Sequence, residues 1–162
     1  MLRILGNQAA LNWQLLRELR RVVKEISLIT QLLKLGDCDY GYFTMLRRSD
    51  SRVLLISQVG NCPPESAEKY MAFSLEKGQR LFERHRDFGD ISSFQSRKPH
   101  KGMWGGAICL SDVIFSFSGL PELADEAAML ALAFQLDAIG ERKINQIIKI
   151  SNNPVAREYF SG

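Results

Sequence analysis

The chain has 162 residues, 46% of them hydrophobic and 24% charged, with twelve glycines and five prolines. This composition describes one globular domain over 1–162 and excludes disorder, collagen and coiled-coil arrays. Twenty-one basic against eighteen acidic residues leave a net charge of +3, too small an excess for the whole chain to act as a nucleic-acid glue, so no nucleic-acid partner is expected. At this length folding hides roughly 70% of the unfolded surface, and the core needs neither disulfide nor metal. Cys38, Cys62 and Cys109 fall at no metal-ligand spacing and cannot all pair, which suits reduced thiols in the cytoplasm. Arg3, Gly6, Asn7 and Asn12 interrupt the first apolar residues before a signal-like run develops. No stretch approaches the ~20 apolar residues that span a bilayer, so no membrane partner is expected.

From Asn7, read as an N-cap, Leu15, Leu19, Val22, Ile26, Ile29 and Leu33 recur in steps of four and three, which predicts a long amphipathic helix within 1–36. Gly36 and Asp37 supply its stop. Two β-rich runs, 40–47 and 52–59, flank the turn residues Ser49, Asp50 and Ser51 and predict a hairpin. After the break at Asn61, Cys62, Pro63 and Pro64, a helix is expected from Glu65 to about Arg86, with Ala67, Met71, Leu75, Gly78 and Phe82 facing inward. Gly78 on that stripe implies close approach to a sheet. The segment 87–103 is irregular and basic, with a short strand possible over 91–94; its length marks it as a functional-loop candidate. A second hairpin is expected to pair 104–110 with 113–118.

Pro121 and Glu122 then open a helix in which only Asp125, Glu126 and Gln135 are polar among the fourteen residues 123–136. Such a helix has almost no solvated face and must be covered on more than one side. The extension 141–162, with Ile144, Ile147 and Ile148 on one stripe of 141–150, is one cover, and a second subunit is the other. A homo-oligomer using this helix or the first helix is expected. The order of elements predicts an α+β fold, an antiparallel sheet of four or five strands flanked by helices.

The usual catalytic signatures are absent: no Gly-x-Ser-x-Gly elbow, no phosphate-binding Gly-x-x-x-x-Gly-Lys and no His-Glu-x-x-His occurs in the sequence. Two histidines cannot build a multi-histidine metal centre. His85 reads as a helix-end residue. His100 lies between Pro99 and Lys101 ahead of Gly105 and Gly106, and is the single metal-ligand candidate of the loop. Cys62 precedes a helix start, where a helix dipole can lower a thiol pKa, but it reads more simply as ordinary turn sequence, and Cys109 reads as a small buried hydrophobe. In and around the loop, Arg97, Lys98 and Lys101 offer either a clamp for carboxylates or a solvated basic face. Phe88, Phe94 and Trp104 interleave with them and supply apolar contact.

The strings Trp104-Gly105-Gly106, Ser118-Gly119-Leu120-Pro121 and Asp125-Glu126 read by themselves as a hairpin, a tight turn and a helix start favoured by acidic residues. Their order and spacing also resemble the family that includes the glycolate-utilisation protein GlcG, the haem-binding HbpS and the C-terminal domain of PduO-type proteins. Gly105, Gly106, Ser118, Gly119, Asp125 and Glu126 match the family's Gly-Gly hairpin, Ser-Gly turn and Asp-Glu pair. Lys77 and Gly78 lie in what looks like its second helix. The resemblance runs in order over about 15–139, with about 25 residues well matched, and departs from the pattern at Ala107-Ile108 and in lacking an early histidine. It implies a profilin-like sandwich, commonly oligomeric, with haem or a related tetrapyrrole bound in some members.

The expectation is therefore a small-ligand-binding domain with a pocket beside the loop 87–104, taking haem or another anionic small molecule. His100 is the loop ligand, Arg97, Lys98 and Lys101 meet the carboxylates, and Phe88, Phe94, Trp104, Gly105 and Gly106 line the site. A non-catalytic oligomeric scaffold or regulatory subunit is the alternative. An enzyme acting on haem or another organic acid ranks third, because no acid–base pair can be named.

Overall fold

The computed structural model describes residues 8–162; the Asn7 cap predicted for the first helix lies outside the described residues. The chain runs α1 (Gln8–Leu32), β1 (Gly41–Arg47), β2 (Val53–Val59), α2 (Pro64–Phe88), two 3-10 turns (Ser93–Ser96 and Pro99–Lys101), β3 (Ala107–Cys109), β4 (Val113–Ser118), α3 (Glu122–Gln135), α4 (Glu141–Ser151) and α5 (Pro154–Ser161). The four strands form one antiparallel sheet in the order β2-β1-β4-β3. This is the expected α+β architecture.

Side chains alternate along the strands, so the sheet has two differently covered faces. Phe43, Met45, Ile108, Phe115 and Phe117 enter the larger core with α1, α3, α4 and α5. Thr44, Leu46, Ile114 and Ser116 face α2 across a smaller and more polar interface. The expected stripe on α2 is turned. Ser74, Lys77, Gly78, Arg80 and Leu81 are buried, while Met71 is 39% exposed. The sheet supplies the reason: Ser74 Oγ donates to Thr44 Oγ1 at 3.0 Å, and Ser116 Oγ donates to the Ser74 carbonyl at 2.7 Å. Buried hydroxyls need partners, and the helix rotates to meet them. Gly78 makes the close approach expected of it, since a Cβ there would lie 3.0 Å from Leu46 Cδ1.

α3 is buried without interruption from Ala124 to Ala133. It lies between the sheet and the helices α1 and α5, with α4 entering the same core through Ile144, Ile147 and Ile148; Leu19, Val22, Ile26, Ile147 and Val155 are fully enclosed. The cover that the sequence left between the terminal segment and a partner is therefore provided within the chain; on the predicted stripe of α1, Leu15 to Ile26 are covered, Ile29 is half-buried and Leu33, past the helix end, is exposed. Two smaller differences concern the second hairpin. β3 has three residues, because Gly106 turns to φ +120° and Gly105 sits against the Phe94 ring. The possible strand at 91–94 is a single bridge, Ser92 to Ile108, followed by a 3-10 turn with a Ser92–Gln95 capping box.

Candidate functional site

The loop 87–104 is held in place by its own hydrogen bonds. Arg80 of α2 donates to the carbonyls of Ser93 at 3.0 Å and Trp104 at 2.5 Å while pairing with Glu76. Arg97 donates to Glu122 at the start of α3, and the Gly105 amide donates to the same carboxylate at 2.9 Å. Burial raises the Glu122 carboxyl, but the Arg97 and Gly105 bonds outweigh it and leave the group below its ordinary value. Arg97 thus answers a carboxylate of its own chain.

The other predicted loop residues do not converge. His100 and Lys101 are exposed on the one-turn helix, and Lys98 is exposed at its cap. Phe88 is 68% exposed and lies under the Arg84 guanidinium, 4.0 Å from ring centroid to Cζ. Phe94 packs onto Gly105, and Trp104 is half-buried. A groove of about 730 Å³ does run beside the loop, between α2 and the residues Gln95, Ser96, Lys98 and Met103. His100 and the predicted aromatic residues are not among its lining; of its cations, Arg80 and Arg84 are paired with Glu76 and Asp90, and Lys98, the one predicted site cation that reaches it, has no carboxylate partner among the described residues. The donor set does not fit an iron-bound tetrapyrrole. His85, the second imidazole, is engaged at both nitrogens, by the Asp90 carbonyl at 2.8 Å and Arg48 at 3.1 Å. Among the described residues no group of three or more His, Cys, Asp and Glu could hold a metal ion. Cys62 carries no lowered pKa; burial raises its thiol, and burial raises Cys109 likewise.

The Gly-Gly, Ser-Gly and Asp-Glu strings do meet. Asp125 accepts from Lys77 Nζ at 2.7 Å and from the Leu120 amide at 3.0 Å, and Lys77 also donates to the Phe117 carbonyl at 2.9 Å. A Cβ on Gly106 would lie 2.7 Å from Asp125 Cβ and 3.0 Å from Lys77 Nζ, so only glycine leaves room for the pair. Glu126, fully buried, accepts from Ser92 Oγ at 2.5 Å, Asn153 Nδ2 at 3.1 Å and Ser151 Oγ. Burial pushes its carboxyl up to about 7 against those three bonds. Both carboxylates are closed to solvent and act as internal ties. Asn153 also caps α5 through the Ala156 amide, a role readable from Asn153-Pro154 in the sequence.

The arrangement sought at the loop, apolar floor and basic rim, occurs elsewhere. Between α1 and β2 lies an open groove of about 1050 Å³, with Leu16 and Val59 at its floor and Trp13, 77% exposed, at one end. Arg17, Arg20 and Lys24 stand along its α1 side. Among the described residues none of these three pairs with a carboxylate, whereas Arg21 beside them is held by Glu18 and Glu25. The opposite wall is the edge strand from Ser57 into Gly60 and Asn61. The spacing 17, 20, 24 places these basic residues along one edge of the helix.

The chain matches no family model, no curated protein and no solved structure. No helix among the described residues is long and apolar enough to cross a membrane.

Proposed function

We propose that this chain is a non-catalytic binding domain for an anionic small molecule with an aromatic or apolar body, held in the groove between α1 and β2. The observation that carries the proposal is the alignment of Arg17, Arg20 and Lys24, free of carboxylate partners, over the Leu16–Val59 floor. Like charges three and four residues apart repel one another, and an anion relieves that repulsion while its apolar part covers the floor. Arginine adds bidentate hydrogen bonds to a carboxylate, phosphate or sulfonate. Haem belongs to this reading as a dicarboxylate with an aromatic body, not as coordinated iron, because no imidazole or thiolate lines the groove.

Kinship with the GlcG and HbpS family is part of the same proposal. It is supported by the order of elements and by the meeting of Gly106, Asp125 and Lys77. A cytoplasmic setting is supported by three free cysteines. The scaffold reading keeps one observation in its favour: Leu28 and Leu32, one turn apart near the end of α1, are 61% and 78% exposed.

The test is a titration of the full chain with anilinonaphthalene sulfonate and, separately, hemin. Arg17→Glu/Arg20→Glu is compared with Lys98→Glu/Lys101→Glu. Loss of about tenfold or more in affinity is expected for the α1 variant alone, as for the removal of charged hydrogen bonds. Loss confined to the loop variant would return the site to residues 97–104.

A further inference from the structure

We propose that Cys38 and Cys62 are a redox modification site, closing to a reversible disulfide across the open end of the β1–β2 hairpin. The pairing of the two strands carries it. Gly41 opposes Val59, Tyr42 opposes Gln58, Phe43 opposes Ser57 and Thr44 opposes Ile56. Past the last ladder pair Tyr40 still faces Gly60, which turns to φ +69°, and Cys38 and Cys62 follow two residues further along the two arms. The facing of Tyr40 and Gly60 is visible in the contacts: a Cβ on Gly60 would lie 3.0 Å from Tyr40 Cβ, 3.2 Å from Tyr40 Cα and 2.6 Å from the Asp39 carbonyl. The strands therefore stay together beyond the ladder. A disulfide bridges Cα atoms about 4.4–6.8 Å apart, and the proposal places the two cysteines, one on each of these adjoining arms, within that span.

Both thiols are free. Cys38 donates to the Tyr40 carbonyl at 3.5 Å, and the Cys62 thiol is raised by burial first and by Cys38 second. The rings of Tyr40 and Tyr70, 6.3 Å apart, cover this end of the hairpin. Cys109 is fully buried in β3 and lies outside the arrangement. Cys38, half-buried, is the entry point, and Cys62, 7% exposed, is the resolving thiol.

The oxidant is a low-molecular-weight disulfide of the glutathione type. The Cys38 thiolate attacks one of its sulfurs, breaking that bond and releasing one small thiolate. The Cys62 thiolate then attacks the protein sulfur of the mixed disulfide, forming the Cys38–Cys62 bond and releasing the second small thiolate. The two protons lost by the cysteines end on the two small thiols, and the two electrons reduce the oxidant. Burial raises both thiols, so the pair reacts slowly at neutral pH. Gly60 and Asn61, between the ladder and Cys62, also wall the α1–β2 groove, so the bond would fix that wall. The proposal does not depend on what the groove binds.

The full chain is incubated with oxidised glutathione at about pH 8, where thiolate is more abundant. Remaining thiols are alkylated after denaturation and the peptides are mapped by mass. The expected product links the Cys38 and Cys62 peptides, about 2 Da below their summed mass for the two hydrogens lost. Cys109 is recovered alkylated, and dithiothreitol restores two thiols. Cys62→Ser is expected to stop at a glutathione adduct on Cys38. A wild-type chain that keeps its adduct at Cys38, leaves both thiols unreacted, or links either of them to Cys109 overturns the proposal.

Discussion

Lys77 of α2 and Asp125 of α3 approach from opposite faces of the sheet and meet at 2.7 Å beside Gly106, each side chain 2% exposed. The pair joins the two helical layers directly, around the short β3. Burial pushes the Asp125 carboxyl upward, and the Lys77 ammonium and the Leu120 amide pull it back. Removing one partner of a buried pair leaves an uncompensated charge, which costs about 3–5 kcal/mol.

Lys77→Met is accordingly expected to lower unfolding stability by about 3–5 kcal/mol, and Lys77→Met/Asp125→Asn to lower it by less, because the second change removes the orphaned charge. Urea denaturation of both variants measures the difference. Equal losses would show that the stranded charge is not the cost.

Gly119→Val is expected to destabilise by more than ~1 kcal/mol, from backbone conformation and contact together. Gly119 has φ +152°, and a Cβ there would lie 2.2 Å from the Tyr40 carbonyl oxygen and 2.5 Å from Gly41 Cα. The neighbours are backbone atoms of β1 and its approach, which have little freedom to yield. An unchanged denaturation midpoint would contradict this.

Glu126 gives a pH dependence with a definite sign. Its carboxyl titrates at about 7 in the folded chain against 4.5 in the unfolded one, so the folded state holds the proton more tightly. The contribution to stability is full below about 4.5 and is lost as pH rises through 7. The loss is on the order of 3 kcal/mol, and Glu126→Gln is expected to remove this part of the slope. Denaturant midpoints measured across this range, for wild type and variant, check it. Parallel curves would contradict it.

Leu132→Glu is expected to unfold the chain, not to dissociate an oligomer. Leu132 of α3 has no exposed surface and belongs to the main core between the sheet and the outer helices. A carboxylate forced there costs more than about 4 kcal/mol. Circular dichroism and sedimentation of the variant separate the outcomes; a folded monomer from an oligomeric wild type would place the interface on α3 after all.

The hairpin 40–59, the long α1 stripe and the helical order were legible because each rests on local spacing of apolar residues and turn chemistry. The inward face of α2 was not. Its stripe is chosen by hydroxyls and a carbonyl on the sheet, Thr44, Ser116 and Phe117, which lie far off in sequence. For the same reason Arg97 looked available in sequence, since its partner Glu122 is 25 residues away. The α1–β2 groove is also a product of tertiary placement: Arg17, Arg20 and Lys24 gain a floor only when Val59 arrives beneath them. The coverage of α3 was half legible, because the Ile144, Ile147 and Ile148 stripe was evident while Asn153 and the α5 it caps were not read.

The groove is tested most directly by amide resonances recorded while the chain is titrated with anilinonaphthalene sulfonate, an aromatic anion without metal. Saturable shifts are expected at 13–24 of α1 and 57–61 at the end of β2, with the amides of 97–104 unmoved, and with those shifts lost in Arg17→Glu/Arg20→Glu. Shifts centred on 97–104, or shifts that survive the charge reversal, would contradict it.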